Sequence, residues 1–211
     1  MEIRPGVHTF GLSWSYDEPL GVHVIETGDS TILFGAGAEE TAQELTRIAT
    51  DHAVDAVIVE HGDGDHFGAV PSLRAAVADI EVAVPAGDAV FLENAGIEAD
   101  RALDPDETYR GIRTIAAPGH TPDNMAYLFA EEEVLVAGDT VVGSDSTFAA
   151  DREWSGDLAT IAAEFNADDE LARESVTALT AHDFDVVLLS HGSNVTEGGR
   201  QAMETLVEDL S

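Results

Sequence analysis

The residues with the clearest capacity for chemistry lie in one short segment that follows a buried, strand-like run at residues 53–59. Six consecutive positions there carry four imidazole or carboxylate groups separated by two glycines; the four are His61, Asp63, Asp65 and His66. Glycine permits tight or positive-φ backbone, so neighbouring side chains can converge on one point instead of alternating across a strand. We therefore predict a metal site at this strand end, with a solvent loop as the alternative.

Three later segments also place a histidine or an aspartate directly after a strand-like run. They read Pro118-Gly-His-Thr-Pro122, Val136-Ala-Gly-Asp-Thr140 and Val186-Val-Leu-Leu-Ser-His-Gly192. The chain contains no cysteine, so thiolate ligands are excluded and nitrogen and oxygen atoms must hold any metal. In type and order, the four segments resemble the metallo-β-lactamase-fold superfamily, with its His-x-His-x-Asp-His run, Gly-His-Thr-Pro loop, Gly-Asp loop and late histidine.

The resemblance implies a fold, a cofactor and a mechanism. The fold is α/β: a four-layer αβ/βα sandwich of two mixed β-sheets flanked by helices, here a single domain over residues 1–211. Two divalent metals are implied, with zinc expected. The ligands of one are His61, Asp63 and His120, and those of the other are Asp65, His66 and His191. Asp139 would bridge the metals, and Asp65 would orient the hydroxide formed between them, which makes these two aspartates the expected catalytic residues.

Two positions depart from the family pattern. The superfamily's second histidine is Asp63 here, and an added oxygen ligand favours iron or manganese more than an all-histidine shell does. The alternative is that Asp63 no longer binds. Gly35 stands where the family usually has an aspartate that supports the ligand loop, a loss that costs about 10- to 100-fold in affinity or activity. Glu60, where threonine is common, either compensates or is a structural or solvated residue.

Other polar residues have weaker claims to a role. Asp123 and Asn124 either touch the substrate or cap the turn after Pro122, the second role being typical of these residue types. Four histidines match no ligand position and are expected to be surface or packed residues; they are His8, His23, His52 and His182. Of these, His23 lies in a predicted opening strand.

The elements that must position the site alternate between strands and helices. A hairpin is predicted from strands 22–27 and 31–34 around Gly28 and Asp29. Further strands are expected at 53–59, 81–84, 112–116, 125–129, 134–136 and 185–190, and helices near 39–50, 69–78, 89–95, 157–165, 171–181 and 196–210. The segment 143–156 is either a loop that shapes the substrate pocket or a plain connector.

The balance of charge is the most unusual global feature. Forty-two acidic residues stand against 9 basic ones, all arginine, for a net charge of −33. Molar salt shortens the screening length to about 3 Å, which relieves such repulsion. We infer a haloarchaeal-type adaptation to a high-salt cytoplasm. No signal peptide or membrane span is expected, and the lack of a basic surface disfavours nucleic acid as a partner.

The leading functional hypothesis is a hydrolase that uses a metal-activated hydroxide on a small-molecule ester, thioester, lactone, lactam or phosphodiester. Asp63 motivates one alternative, a non-haem iron protein with oxygen, persulfide or reductant chemistry. Asp63 and Gly35 together motivate another, a binding protein with a degenerate metal site.

Overall fold

A computed structural model describes residues 1–28 and 30–210 of the chain. The strands are β1 (Glu2–Arg4), β2 (Val7–Leu12), β3 (Leu20–Thr27), β4 (Ser30–Phe34), β5 (Ala56–Ile58), β6 (Glu81–Pro85), β7 (Arg101–Leu103), β8 (Thr108–Tyr109), β9 (Ile112–Ala116), β10 (Met125–Phe129), β11 (Val134–Gly138), β12 (Val142–Gly143), β13 (Leu158–Ala159) and β14 (Val186–Leu189). The α-helices are α1 (Ala42–Asp51), α2 (Gly64–Phe67), α3 (Val70–Ala76), α4 (Ala89–Asn94), α5 (Asp169–Leu179) and α6 (Gly199–Asp209). Two 3-10 helices cover Glu39–Thr41 and Ala163–Phe165.

The strands form two mixed sheets. Within the described residues the first sheet has seven strands in the order β1 to β7, antiparallel from β1 to β4 and parallel from β4 to β7. The second has the order β14-β11-β10-β9-β8, with only the β11–β14 pair parallel. Strands β12 and β13 form a small separate ribbon. Because side chains alternate between the two faces of a strand, each large sheet packs one face against the other sheet and the opposite face against helices.

Three apolar clusters show how these layers stack. The middle cluster joins Ile25, Phe34 and Ile58 of the first sheet to Tyr127 and Val136 of the second. The outer face of the first sheet is covered by helices α1, α3 and α4, and that of the second by α5 and α6. The order helix, sheet, sheet, helix confirms the predicted four-layer αβ/βα sandwich.

Helix α1 illustrates how the sequence builds an outer layer. Its apolar residues recur at helical spacing, so Leu45, Ile48 and Ala49 are buried while the opposite face is polar. At the start of α5, the carboxylate of Asp168 accepts a hydrogen bond from the Leu171 amide at 3.1 Å, the usual capping arrangement.

The predicted helix at residues 157–165 is wrong. Leu158 and Ala159 instead form β13, and a 3-10 helix occupies Ala163–Phe165. The apolar residues of this stretch pack against Val142 and Phe148, so pairing with β12 outweighs the weak helical spacing. The predicted hairpin is present as β3 and β4, but Asp29 at its turn lies outside the described residues. In the part of the chain that the structure describes, no helix has the length and apolar character to cross a membrane.

Candidate metal centre

The seven predicted ligands converge at one end of the two sheets. From the first sheet come the segment after β5 and the short helix α2, which carry His61, Asp63, Asp65 and His66. From the second come the residues just after β9, β11 and β14, namely His120, Asp139 and His191. The parallel strands β5, β11 and β14 all deliver ligands from their carboxyl ends, as the topology of open sheets favours.

Asp139 lies at the centre of the cluster. Its Oδ2 is 3.4 Å from His191 Nε2, 3.7 Å from His120 Nε2 and 3.8 Å from His61 Nε2. Its Oδ1 is 3.5 Å from His66 Nε2. One carboxylate therefore faces four imidazoles, which is the position of a ligand shared between two cations.

Two groups of donors flank Asp139. In the first, Asp63 Oδ2 lies 3.0 Å from His120 Nε2 and 3.7 Å from His61 Nε2. In the second, Asp65 Oδ2 lies 3.4 Å from His191 Nε2 and 3.8 Å from His66 Nε2. Each group offers three donor atoms within 4.8 Å of one another, and each draws on both sheets. Asp63, despite replacing a histidine of the family motif, points its carboxylate into the first group.

The cluster contains buried polar atoms without hydrogen-bond partners among the described residues. They include both ring nitrogens of His61, His66 Nε2 and Asp139 Oδ1. Unpaired buried polar atoms are costly and rare, and imidazole nitrogens and carboxylate oxygens are ligands of divalent transition metals. The residues present therefore fit two such cations.

The carboxylates and imidazoles of the cluster shift the pKa values of one another. The hydrogen bond with His120, together with the nearby imidazole of His61, holds the pKa of Asp63 far below its usual range. Burial opposes a charge on His191, yet the carboxylates of Asp139 and Asp65 raise its pKa to about 11. His61 differs, since burial and its neighbour His66 lower its pKa. The carboxylates therefore favour the protonated form of His191, so a metal that binds this imidazole must displace a proton.

Two of the four histidines are held on their other nitrogen by a hydrogen bond to an oxygen, and the other nitrogen of a third, His191, faces a carboxylate without a hydrogen bond among the described residues. His66 Nδ1 lies 3.0 Å from Glu60 Oε2, His120 Nδ1 3.3 Å from Asn166 Oδ1 and His191 Nδ1 3.6 Å from Glu18 Oε1. Such partners fix the orientation of an imidazole ligand. Asn166 and Glu18 were not singled out from the sequence, because they lie in loops far from the ligand motifs and no local pattern marks them.

Glu60 is fully buried, which excludes the solvated interpretation. A Cβ on Gly35, where φ is +80°, would lie only 3.4 and 3.5 Å from the two Glu60 carboxylate oxygens. The Glu60 carboxylate therefore fills the space beside Gly35. Its contact with His66 supports the ligand segment, the role that the family resemblance implies for an aspartate at position 35.

Asp88 links two ligand loops and was also missed from the sequence. Its Oδ2 accepts hydrogen bonds from the Gly62 amide at 2.9 Å and from Thr121 Oγ1 at 2.7 Å. It thereby joins the loop of His61 to the loop of His120. Asn124 is buried as well, and its amide donates to Ala117 O and Thr140 Oγ1 at 2.8 Å each, a structural role rather than a substrate contact.

Gly62 in the ligand segment serves a different purpose from the one predicted. Neither Gly62 nor Gly64 has a positive φ. A Cβ on Gly62 would lie 2.2 Å from the Phe91 ring, so helix α4 can pack against the loop only because position 62 has no side chain.

A cavity of about 300 Å³ opens onto the cluster. Its wall combines five of the predicted ligands with aromatic side chains from three segments, Trp14 and Tyr16, Phe148, and Phe165. Phe148 lies 4.4 Å from the His191 ring between centroids, which makes part of segment 143–156 a pocket wall. A larger cavity, of about 460 Å³, surrounds Thr27 and Arg110, and none of the seven predicted ligands lines it.

The remaining histidines lie outside the cluster. His23 is fully buried between Thr9 Oγ1 and Leu189 O, each 3.1 Å from a ring nitrogen. Burial lowers its pKa to about 4, against the weaker opposing effect of Glu60. His8 and His52 lie side by side on the outer face of the first sheet, with ring centroids 4.7 Å apart.

Comparison with known proteins finds a family and several relatives that this chain resembles in sequence. A sequence model described as the metallo-beta-lactamase superfamily matches residues 22–191. Thioesterase pkgB of Emericella nidulans is 31% identical over 139 residues, which are 62% of this chain and 38% of that protein. An atrochrysone carboxyl ACP thioesterase of Aspergillus fumigatus is 26% identical over 133 residues, or 59% of this chain and 30% of its own length. The chain thus aligns with less than half the length of these curated relatives.

Solved structures show the same fold at low identity. A metallo-beta-lactamase from Pontibacter korlensis superposes with a TM-score of 0.73 at 18% identity, covering 99% of this chain and 96% of that one. FIM-1 from Pseudomonas aeruginosa, solved in a mono-zinc form, gives 0.70 at 21% identity, with 98% and 92% covered.

Proposed function

The chain belongs to the metallo-beta-lactamase superfamily, and from this premise we propose that it is a metal-dependent hydrolase of a small-molecule thioester or related carboxylic ester. The observation that carries the proposal is the position of Asp139, within 3.8 Å of four imidazole nitrogens and between two groups of donors. The names of the two thioesterase relatives support a thioester in particular.

We divide the residues of the cluster between two proposed cations. His61, Asp63 and His120 would hold one, Asp65, His66 and His191 the other, and Asp139 would contact both. The predominance of imidazole favours zinc, while Asp63 keeps iron or manganese as alternatives. When bound, the cations supply an activated water and polarise the substrate carbonyl.

Asp65 is the residue best placed to handle the proton. It lines the cavity, and its side chain is 23% exposed, whereas that of Asp139 is 5% exposed. In the proposed reaction a water oxygen bonds to the carbonyl carbon while Asp65 accepts the water proton. The bond from carbon to sulfur then breaks, and Asp65 returns the proton to the departing sulfur, which leaves as a thiol beside a carboxylic acid.

The aromatic wall of the cavity would bind the acyl part of the substrate. Trp14 and Tyr16 lie 4.5 Å apart between ring centroids, and Phe148 lies 5.0 Å from Tyr16. Such rings supply a large apolar contact area. We infer that the acyl group is apolar and small enough for a cavity of about 300 Å³.

The test begins with metal content. Protein purified in high salt without chelators is analysed by mass spectrometry and assayed for thiol release from a series of acyl thioesters. We expect about two metal ions per chain, hydrolysis that a chelator abolishes, and recovery on adding zinc.

A double variant, His120→Ala with Asp139→Ala, is expected to lose hydrolysis, while the matched variant His182→Ala keeps it because His182 lies outside the cluster. Full retention of hydrolysis in the double variant would contradict the proposal.

Asp63 supports a second candidate function, non-haem iron redox chemistry. Its Oδ2 lies 3.0 Å from His120 Nε2, and this oxygen donor gives the first group a harder character than an all-histidine set. Iron as the main metal, together with oxygen consumption in the presence of a thiol or persulfide, would favour this candidate over hydrolysis.

The cytoplasmic location and the high-salt adaptation inferred from composition stay predictions.

A further inference from the structure

A second set of metal-binding side chains lies apart from the candidate metal centre. His8, Glu26 and His52 each present one donor atom, and these atoms lie within 4.8 Å of one another. We propose that the three residues, called here the distal site, bind one divalent transition-metal ion.

The distal site is at the end of the first sheet opposite to the metal centre, as measured along the strands. Strand β3 begins beside the metal centre, where the Gly21 amide donates to Ser190 O at 2.7 Å, and runs away from it towards Glu26. Five residues of extended chain separate the two points by about 17 Å. His52 directly follows α1 and precedes β5, whose far end leads to His61. A metal held at the distal site therefore shares no ligand with the metal centre.

Three separate elements hold the donors in place. His8 on β2 pairs with Val24 on β3, so Glu26, two residues further along, lies diagonally on the same face. The distance from His8 Nε2 to Glu26 Oε1 is 3.7 Å. The rings of His8 and His52 have centroids 4.7 Å apart.

His52 is held by its backbone and by its ring. Its amide donates to Ile48 O at 3.1 Å, which continues the hydrogen bonding of α1. Phe10 packs edge-on against the His52 ring, with centroids 5.4 Å apart. The imidazole is thus ordered by contacts that do not involve a metal, so little conformational freedom is left to lose on binding.

The chemistry of the donors selects the class of cation. Two imidazoles and one carboxylate suit zinc, cobalt, nickel or copper, whereas magnesium and calcium prefer oxygen ligands throughout. The site also lies at the carboxyl end of α1, where the helix dipole favours positive charge. The Glu26 side chain is 55% exposed and that of His8 is 19% exposed, so a cation can enter from solvent and water can complete its coordination.

A cation at the distal site would tie α1 to the β2–β3 pair. Because it binds the folded chain in preference to the unfolded one, it stabilises the fold in proportion to its concentration above the dissociation constant. This effect does not depend on the proposed hydrolase activity.

The experiment counts zinc ions per chain at fixed free zinc in the full-length protein, by equilibrium dialysis and mass spectrometry. We expect His8→Gln and His52→Gln each to bind one zinc ion fewer than the wild type. His182→Gln, which removes a histidine far from both sites, is expected to keep the wild-type count. An anomalous-scattering peak between His8 and His52 in zinc-soaked crystals is expected as a second readout.

An unchanged zinc count in the double variant His8→Gln with His52→Gln, together with no anomalous peak, would overturn the proposal. A low count at the metal centre leaves the comparison intact, because the measured quantity is the difference between the wild type and each variant. Thermal unfolding of each variant without zinc checks that it is folded.

Discussion

Replacement of Glu60 by glutamine tests whether a buried carboxylate supports the ligand His66. Glu60 is fully buried, and its Oε2 lies 3.0 Å from His66 Nδ1. Glutamine has nearly the same shape, and its amide oxygen can still accept from Nδ1, but the negative charge is lost. Loss of such supporting contacts typically lowers metal affinity about 10- to 100-fold, or about 1.4 to 2.7 kcal/mol.

The substitution series gives a graded expectation. Glu60→Gln is expected near the lower limit, about tenfold weaker zinc binding, because one hydrogen bond persists. Glu60→Ala is expected near the upper limit, about hundredfold, because His66 loses its partner and space opens beside Gly35. Alanine is also expected to reduce the free energy of unfolding by about 1 to 3 kcal/mol, the usual cost of an unpaired buried polar group.

The assay is competition for zinc against a chromogenic chelator at constant high ionic strength. Glu131→Gln, which neutralises an exposed carboxylate, controls for the general loss of one negative charge. Wild-type zinc affinity in folded Glu60→Gln and Glu60→Ala proteins would refute the reasoning, since the hydrogen bond would then have no effect on the ligand. A loss in Glu131→Gln equal to that in Glu60→Gln would refute it as well.

Three further predictions concern other parts of the molecule. Asp63→Ala is expected to lower the metal content from two ions to one by mass spectrometry, because Asp63 supplies one of three donors in its group; unchanged content would make Asp63 a bystander. The pKa of His23 falls from 6.5 to about 4 on folding, so between these pH values the unfolded chain binds a proton that the folded chain does not. The free energy of unfolding is therefore expected to decline as the pH falls through this range, by about 3 kcal/mol in total. Chemical unfolding at several pH values is expected to show a shallower decline in His23→Gln, and equal slopes would contradict this. Finally, the midpoint of thermal unfolding is expected to be higher in about 3 M potassium chloride than in dilute buffer, because salt screens the charge of −33; equal midpoints would argue against high-salt adaptation.

The fold could be predicted largely because its elements have strong local patterns. The strands at Ile112–Ala116 and Met125–Phe129 have the predicted bounds. Short strands such as β7 and β8 were missed, since two or three residues carry too little periodicity to detect. The segment at 157–165 was misassigned because its apolar spacing fits a helix, whereas its partner β12 is distant in sequence and only the folded chain brings them together.

The candidate ligands could be predicted because each follows a strand and belongs to a recognisable motif. Their supporting residues could not. Glu18, Asp88 and Asn166 act through contacts that span 26 to 173 positions in the chain, and no local sequence pattern records such a distance. Glu60 was noticed only as a departure, and its burial beside Gly35 became evident from the packing.

Each group of ligands takes members from both sheets, with His120 and His191 supplied by the second. Binding of the proposed cations and the association of the two sheets would therefore be linked equilibria. A substitution that loosens the interface between the sheets is expected to lower metal affinity even when it lies far from any ligand. A bound ion would in turn stabilise the interface by the same free energy. Unfolding of either sheet alone would remove ligands from both proposed metal sites. The metal-bound protein is therefore expected to unfold in a single cooperative transition.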